Sequence, residues 1–239
     1  MKMLLLKNKR FISILFLTII CYLQINAQIT PVENYLQQAG EFSNIYNGKL
    51  ETLYNVLIYK NFPYYKNSEF TDASIVYNNN YYPNQKVRLD LFKEQLSLIP
   101  PEKQFGVIVN FEKVERVYMY NKTFVRLIPN KESGLKQGYY IQLLEREKIQ
   151  LYRKEYFNIQ QKETVYYIFE PSFRFYLCYN NKYYTVKNKG SFNKLFPKFK
   201  KEINKFCKEK KLNFRQKTDE SLSSLADYCH ELLFSTNNE

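Results

Sequence analysis

The chain has few of the residues that most often carry catalytic chemistry. Histidine occurs once in 239 residues, which excludes a histidine-rich metal site, and we expect His230 to be an ordinary surface or boundary side chain. No G-x-S-x-G, H-E-x-x-H, phosphate-binding glycine loop, paired C-x-x-C or D-x-D-x-D-G motif occurs. The sequence therefore names no catalytic, cofactor-binding or metal-binding residue.

Cysteine is also scarce, with four in the chain. One of them, Cys21, lies in the first 27 residues, which leaves Cys178, Cys207 and Cys229. An odd number excludes a disulfide framework of the kind that stabilises small secreted domains. We expect three buried free thiols that behave as small apolar groups, and a single Cys207–Cys229 bridge is the alternative.

The N-terminal 27 residues have the layout of a secretory signal peptide. Phe11 to Leu23 is apolar but shorter than the roughly 20 residues of a membrane span, and Ala27 supplies a small residue before Gln28. Four basic residues precede the apolar run: Lys2, Lys7, Lys9 and Arg10. We therefore expect cleavage between Ala27 and Gln28, with an uncleaved anchor as the alternative, and export to the periplasm or the extracellular face of a Gram-negative envelope.

The chain is strongly basic, with a net charge of +13 that falls to +9 when residues 1–27 are removed. In an intracellular protein this charge would suggest nucleic-acid binding, but export argues against a nucleic-acid partner. An acidic polysaccharide, anionic lipid head groups with peripheral outer-membrane association, or an acidic protein remain as partners. The simplest alternative is a solvated helix face that carries Lys198, Lys200, Lys201, Lys205, Lys208, Lys210 and Lys211.

Residues 48–187 form the β region, in which Val87 to Leu91 alternates apolar and charged residues as a sheet with one wet face requires. The patterns predict about ten antiparallel strands, including Glu51 to Tyr59 and separate strands at Thr164 to Glu170 and Phe173 to Tyr179. Residues 28–47 are a lead-in with a short helix near Val32 to Gln38. Four asparagine-rich motifs flanked by aromatics predict hairpin tips: Tyr46–Leu50, Tyr77–Tyr82, Tyr120–Phe124 and Tyr179–Tyr184.

Residues 188–235 form the helical region. Gly190-Ser191 predicts a turn and helix cap, followed by a short turn at Phe192 to Phe196, a helix from Pro197 to Lys210, and a last helix capped by Asp219. Each helix has one apolar face and must pack on the sheet. The expected fold is α+β: a predominantly antiparallel, curved, half-barrel-like sheet in a single domain with two C-terminal helices, after a cleaved N-terminal signal helix.

Scattered carboxylates are the only route to catalysis that the composition leaves open. Glycoside hydrolysis uses two carboxyl groups from distant strands, and the formal candidates are Asp90, Glu94, Glu145 and Glu170. The alternation around Asp90 predicts that its side chain faces solvent.

The C-terminal third carries a recognisable series of structural motifs. Tyr179 to Lys187 is followed by a basic helix, Lys211 to Phe214 and a last helix with Tyr228. The series resembles an uncharacterised family of secreted proteins from AT-rich Gram-negative bacteria, in which a K-x-G-K-Y-Y-x-V-K hairpin and a K-L-x-F link precede the last helix. Ala73 to Leu91 resembles an earlier hairpin of that family, although Ala73, Asn80 and Leu89 depart from its preferred residues. The family has no assigned activity, so the resemblance implies an envelope location and carries over no catalytic residue.

The sequence thus favours a non-catalytic binding or structural module with no cofactor. Its expected partner is an envelope protein, or an apolar or anionic ligand on the concave sheet face. The alternative is an envelope glycan hydrolase that uses scattered carboxylates.

Overall fold

The computed structural model of the protein describes residues 31–40, 43–128, 135–162 and 166–235. The predicted signal segment and its cleavage point at Ala27 and Gln28 lie outside these ranges. The backbone divides into two units, residues 1–38 and 39–239. Helix α1, Pro31–Ala39, agrees with the short helix predicted near Val32 to Gln38, and the sheet and the remaining helices belong to the second unit.

Within the described ranges, eleven strands form one antiparallel sheet, as predicted for the class of fold. Its order is β1-β5-β4-β3-β2-β6-β7-β8-β9-β10-β11, and because β1 and β11 have no mutual pairing the sheet is not closed. The strands are β1 Lys49–Leu50, β2 Thr71–Tyr77, β3 Asn80–Asp90, β4 Gln95–Leu98, β5 Val107–Ile108, β6 Val114–Met119, β7 Lys122–Leu127, β8 Gly138–Glu145, β9 Ile149–Lys162, β10 Tyr166–Tyr179 and β11 Lys182–Val186.

Three of the four predicted hairpin tips are two-residue turns. Each has positive φ at both central residues, which is the backbone that tight hairpins require and that asparagine tolerates better than most residues. The central pairs are Asn78-Asn79, Tyr120-Asn121 and Asn180-Asn181. The prediction at Tyr46–Leu50 is wrong, because this segment passes from a 3₁₀ turn into β1, which pairs with the distant β5.

Two strand predictions are also wrong. Glu51 to Tyr59 is not a strand, because Asn55 accepts backbone hydrogen bonds from Ile58 and Tyr59 and so forms a turn. The two strands predicted around Pro171 are one continuous strand, β10. Pro171 is tolerated there because only β9 pairs with that part of β10, while β11 pairs from Phe175 onward.

The C-terminal region contains three helices rather than two: α2 Lys189–Leu195, α3 Lys200–Glu209 and α4 Thr218–Ser235. Helix α2 replaces the predicted turn at Phe192 to Phe196, because Asn188 rather than Gly190-Ser191 caps its first turn through Oδ1 and the Gly190 amide, 2.9 Å apart. Pro197 begins a 3₁₀ turn before α3. None of the described helices combines the length and apolarity needed to cross a membrane.

The helices cover one face of the C-terminal strands. Ile149 and Leu151 of β9 share a buried apolar core with Ile203 of α3 and Leu222 and Leu225 of α4. The predicted lysine run on and around α3 is exposed to solvent. Since side chains alternate along a strand, the neighbouring residues of β9 point to the opposite face, which is the face that carries the site described next.

Candidate functional site

A cleft of about 460 Å³ opens on the sheet face opposite the C-terminal helices. Strand β9 defines the two faces: Arg153 pairs with Asp219 of α4 at 3.0 Å, whereas the next residue, Lys154, lines the cleft. The apolar and aromatic lining is Leu91, Phe92, Tyr140, Tyr156, Phe157 and Tyr176, and the polar lining is Glu94, Lys136, Gln137, Lys154, Asn158 and Arg174.

A part-buried ion pair lines this cleft. Lys154 Nζ is 2.5 Å from Glu94 Oε1, and the two side chains are 8% and 22% exposed. The pair is further fixed by the backbone of Tyr139, whose amide donates to Glu94 Oε2 at 2.9 Å and whose carbonyl accepts from Lys154 Nζ at 3.0 Å. Lys154 Nζ also lies 4.7 Å from the centroid of the Tyr140 ring, which is an attractive cation–π arrangement.

Burial shifts the pKa values of both partners towards their neutral forms. Desolvation raises the pKa of Glu94 above its ordinary value, against the attraction of Lys154 and the hydrogen bonds it accepts. Desolvation likewise lowers the pKa of Lys154, against the attraction of Glu94. Perturbed titratable groups in a cleft are typical of functional sites.

The turn between β3 and β4 places Glu94 in the cleft. Asp90 Oδ1 accepts from the amides of Phe92 and Lys93 at 2.9 and 2.8 Å, and Asp90 Oδ2 accepts from the Tyr54 hydroxyl at 2.8 Å. Glu94 itself has φ +55, a strained conformation for a residue with a side chain. The strained backbone of this turn therefore places the Glu94 carboxylate beside β9.

Gly138, at the start of β8, leaves the space that the ion pair occupies. A Cβ atom on this residue would lie 2.2 Å from Glu94 Oε2 and 2.5 Å from Lys154 Nζ. Its φ of +153 also lies where side chains are rarely accommodated. Glycine is therefore the residue that allows β8 to pass directly beside the pair.

The cleft carries more positive than negative charge. Lys154 and Arg174 are direct cross-strand partners on β9 and β10, and like charges in this position repel each other. Arg174 is exposed at the rim, where the neighbouring Tyr176 and Tyr156 hydroxyls raise its pKa. Lys136 is exposed at the same cleft, and Glu94 is the one carboxylate among the described lining residues.

The structure brings only one of the four candidate carboxylates into the cleft. Asp90 is 4% exposed, so the prediction that it faces solvent is wrong: its strand ends there and its carboxylate turns inward to bind the following turn. Glu145 pairs with Arg116 at 2.9 Å, and Glu170 lies 3.9 Å from Lys162. Both are ordinary partners on the sheet surface.

The remaining residues named from the sequence lie elsewhere. Cys178, Cys207 and Cys229 are buried free thiols, and Cys207 and Cys229 share the core beneath the helices. Burial raises the pKa of Cys229 to about 12. His230 packs edge-on against Phe234 at 5.1 Å. In the described part of the chain no three potential metal ligands come together.

No sequence motif marks Lys154, Arg174 or Gly138 as residues of a site. Lys154 lies between Arg153 and Glu155, so the local sequence suggests a charged residue on a solvent-exposed strand. The available signal was the spacing of Tyr152, Lys154 and Tyr156, which places a lysine between two aromatics on one face of β9. Nothing local pairs it with Glu94, 60 residues away.

Comparisons with known proteins give this site no precedent. No protein-family model matches the chain, and no curated protein and no solved structure matches it. The resemblance to secreted proteins of AT-rich Gram-negative bacteria therefore stays a prediction.

Proposed function

We propose that this chain is an exported envelope protein that acts by non-catalytic binding, and that its cleft takes an anionic ligand with an apolar body. Export is supported by the signal-like layout of residues 1–27. The proposal includes the curvature expected of a half-barrel, which would place the cleft on the concave face of the sheet. The observation that carries the ligand proposal is the charge balance of the cleft.

Two cations face each other across β9 and β10, and Glu94 is the one carboxylate among the described residues that line the cleft. Lys154 and Arg174 are cross-strand partners. Glu94 forms an ion pair with Lys154 through a 2.5 Å contact. Arg174 and the nearby Lys136 therefore have capacity for a ligand anion. A guanidinium flanked by tyrosine hydroxyls suits a carboxylate, sulfate or phosphate group because it donates several directed hydrogen bonds.

The size and walls of the cleft suit a small amphiphile. Its volume of about 460 Å³ falls within the ordinary range for small-molecule sites, which are largely apolar with a few placed polar groups. Phe92, Phe157 and Tyr176 supply aromatic walls. Phe92 is held by an edge-on contact with Phe169, with ring centroids 5.0 Å apart, so this wall is formed before any ligand arrives.

A glycan hydrolase is the second function that one observation favours. Glu94 has a raised pKa inside a cleft, which is the property of a general acid. Hydrolysis also requires a second carboxylate, and the described lining supplies none because Asp90 is held by its own turn. Binding therefore has the better support.

The test uses 1-anilinonaphthalene-8-sulfonate, an aromatic anion whose fluorescence rises in apolar sites. We expect saturable binding that dodecanoate displaces and dodecanol displaces poorly. Arg174→Gln and Lys136→Gln should each weaken binding about tenfold, the value of one charge-assisted hydrogen bond. Lys198→Gln, on the exposed surface beside α3, is the matched control. Equal displacement by the alcohol, or unchanged binding by Arg174→Gln, would contradict the proposal.

Export has a separate test. Expression of the full chain in a Gram-negative host should give a processed protein in the envelope fraction whose N-terminus, determined by mass spectrometry, is Gln28. Ala27→Leu should accumulate unprocessed chain, because the peptidase requires a small residue before the cleavage point. A processed protein that begins elsewhere, or an unprocessed wild type, would show that the predicted boundary is wrong.

A further inference from the structure

The loop between β1 and β2 presents a group of apolar side chains to solvent. Leu53, Val56 and Leu57 are 64%, 68% and 80% exposed, and Ile58 is 41% exposed. Isolated exposed apolar residues are normal on proteins, whereas contiguous exposed apolar groups are less common and occur at interaction sites. We call Leu53, Val56, Leu57 and Ile58 the apolar tip.

The apolar tip is held in place by the sheet. Asn55 fixes the turn, because its carbonyl accepts from the Ile58 and Tyr59 amides at 3.0 and 2.9 Å and its side chain accepts from the Leu57 amide at 2.9 Å. The Tyr167 amide donates to the Ile58 carbonyl at 2.9 Å. Tyr59 stacks on Phe169 with ring centroids 5.3 Å apart. The exposed side chains therefore cannot turn inward without breaking these contacts.

The charge beside the apolar tip is positive. Lys60 is exposed, and its Nζ lies 5.0 Å from the centroid of the Tyr166 ring. Lys93 Nζ donates to the Thr52 carbonyl at 2.9 Å and is 4.0 Å from Asp90 Oδ2. Of the two acidic residues between β1 and β2, Glu51 is 7% exposed and pairs with Arg88 at 2.6 Å, whereas Glu69 is exposed near the start of β2. The tip thus combines projecting aliphatic groups, flanking ammonium groups and tyrosine rings.

We propose that the apolar tip inserts into the interfacial layer of an anionic lipid bilayer. Val56 and Leu57 would enter the acyl boundary, while Lys60 meets lipid phosphates, since lysine stems extend along apolar surface and keep their charge in the polar layer. Tyrosine rings such as Tyr59 and Tyr166 suit the same depth.

A bilayer fits this surface better than a protein partner. A stable protein interface takes about 800 Å² from each side, whereas the tip offers four side chains on one narrow turn. Partial insertion with electrostatic support needs only a small apolar area. The inference rests on residues outside the cleft, so it stands or falls separately from the proposed ligand.

The absence of tryptophan from the chain gives a direct assay. Leu57→Trp places a single indole at the tip of the processed chain, residues 28–239, which retains the whole second unit. With vesicles of equal phosphatidylglycerol and phosphatidylcholine we expect a blue shift and quenching by brominated acyl chains. Ile128→Trp, at a residue that is 59% exposed beyond the end of β7, should show neither.

Sedimentation with the same vesicles supplies the second measurement. Leu57→Asp should lower partitioning at least tenfold, because it replaces an inserted aliphatic group with a charge, whereas Ile128→Asp and the cleft variant Arg174→Gln should bind like the wild type. Neutral vesicles should bind at least tenfold more weakly than anionic ones. An unshifted Leu57→Trp spectrum, or wild-type partitioning by Leu57→Asp, would overturn the proposal. Retained vesicle binding by Arg174→Gln, together with lost dye binding, would leave both proposals standing.

Discussion

Replacing Gly138 with alanine is the most direct test of the ion pair between Glu94 and Lys154. The new methyl group would stand 2.2 Å from Glu94 Oε2 and 2.5 Å from Lys154 Nζ, so at least one of these atoms must move. Both belong to flexible side chains, but each is also hydrogen-bonded to the backbone of Tyr139. The substitution therefore separates the part-buried carboxylate of Glu94 from the buried ammonium group of Lys154.

The loss of folding stability caused by Gly138→Ala has two parts. Disrupting a buried pair costs about 3 to 5 kcal/mol when one charge loses its partner, and a displaced pair retains part of its attraction, so we assign this part about 2 kcal/mol. A side chain at φ +153 adds roughly 1 to 2 kcal/mol of backbone strain. We expect Gly138→Ala to lower the free energy of unfolding by about 3 to 4 kcal/mol.

Urea unfolding followed by far-ultraviolet circular dichroism measures this loss. With a denaturant dependence of about 2 kcal/mol per molar for a domain of this size, the midpoint should fall by about 1.5 to 2 M. The double variant Gly138→Ala/Glu94→Ala separates the two parts, because the strain persists while the clash with the carboxylate disappears. We expect the two losses to be non-additive by at least 1 kcal/mol. Additive losses, or a Gly138→Ala variant as stable as the wild type, would refute the tight packing at the pair.

Two further outcomes follow from the titratable groups. Burial raises the pKa of Glu94, and the positive charge of Lys154 lowers it. Lys154→Met removes that charge, so the pKa of Glu94 should rise further above its ordinary value. The folded state then binds a proton that the unfolded state releases, and the stability of the variant should fall as pH rises through that pKa, relative to the wild type. Unfolding curves between pH 5 and pH 8 check this, and parallel pH profiles would contradict it. Cys178, Cys207 and Cys229 are buried, so all three should resist iodoacetamide in the folded protein and react after unfolding without reductant. In the processed chain, residues 28–239, which lacks Cys21, addition of a single label after unfolding would instead establish the alternative Cys207–Cys229 bridge.

The hairpin turns are the part of the fold that local sequence predicts best. Asn78-Asn79 and Asn180-Asn181 adopt positive φ at both turn residues, a preference of asparagine that holds before any tertiary contact forms. The same reasoning fails at Asn55, in the segment predicted as a strand. There the aliphatic residues resemble a strand, but Asn55 closes a turn, and the segment joins the sheet through an isolated bridge between Tyr59 and Tyr167 of β10.

The order of the strands in the sheet could not be predicted from local sequence. Strands β3, β4 and β5 continue the sheet on one side of β2, and β6 joins its other side. Four strands, β2, β6, β7 and β8, therefore separate β3 from β9 in the sheet, and yet the turn after β3 sets Glu94 beside Lys154. Hydrophobic pattern and residue propensity are local properties. The contact between Glu94 and Lys154 instead depends on which strands pair and on long-range packing.

The sequence by itself determined the class of fold, the apolar faces of the strands and helices, and three hairpin turns, because these depend on periodicity and on the φ preferences of single residues. Tertiary structure alone decided that Asp90 turns inward, that Lys154 is buried and that Leu57 is left in solvent. The physical reason is that the burial of a charge depends on a distant partner. Glu94 supplies that partner to Lys154, and no described part of the sheet covers the turn at Asn55.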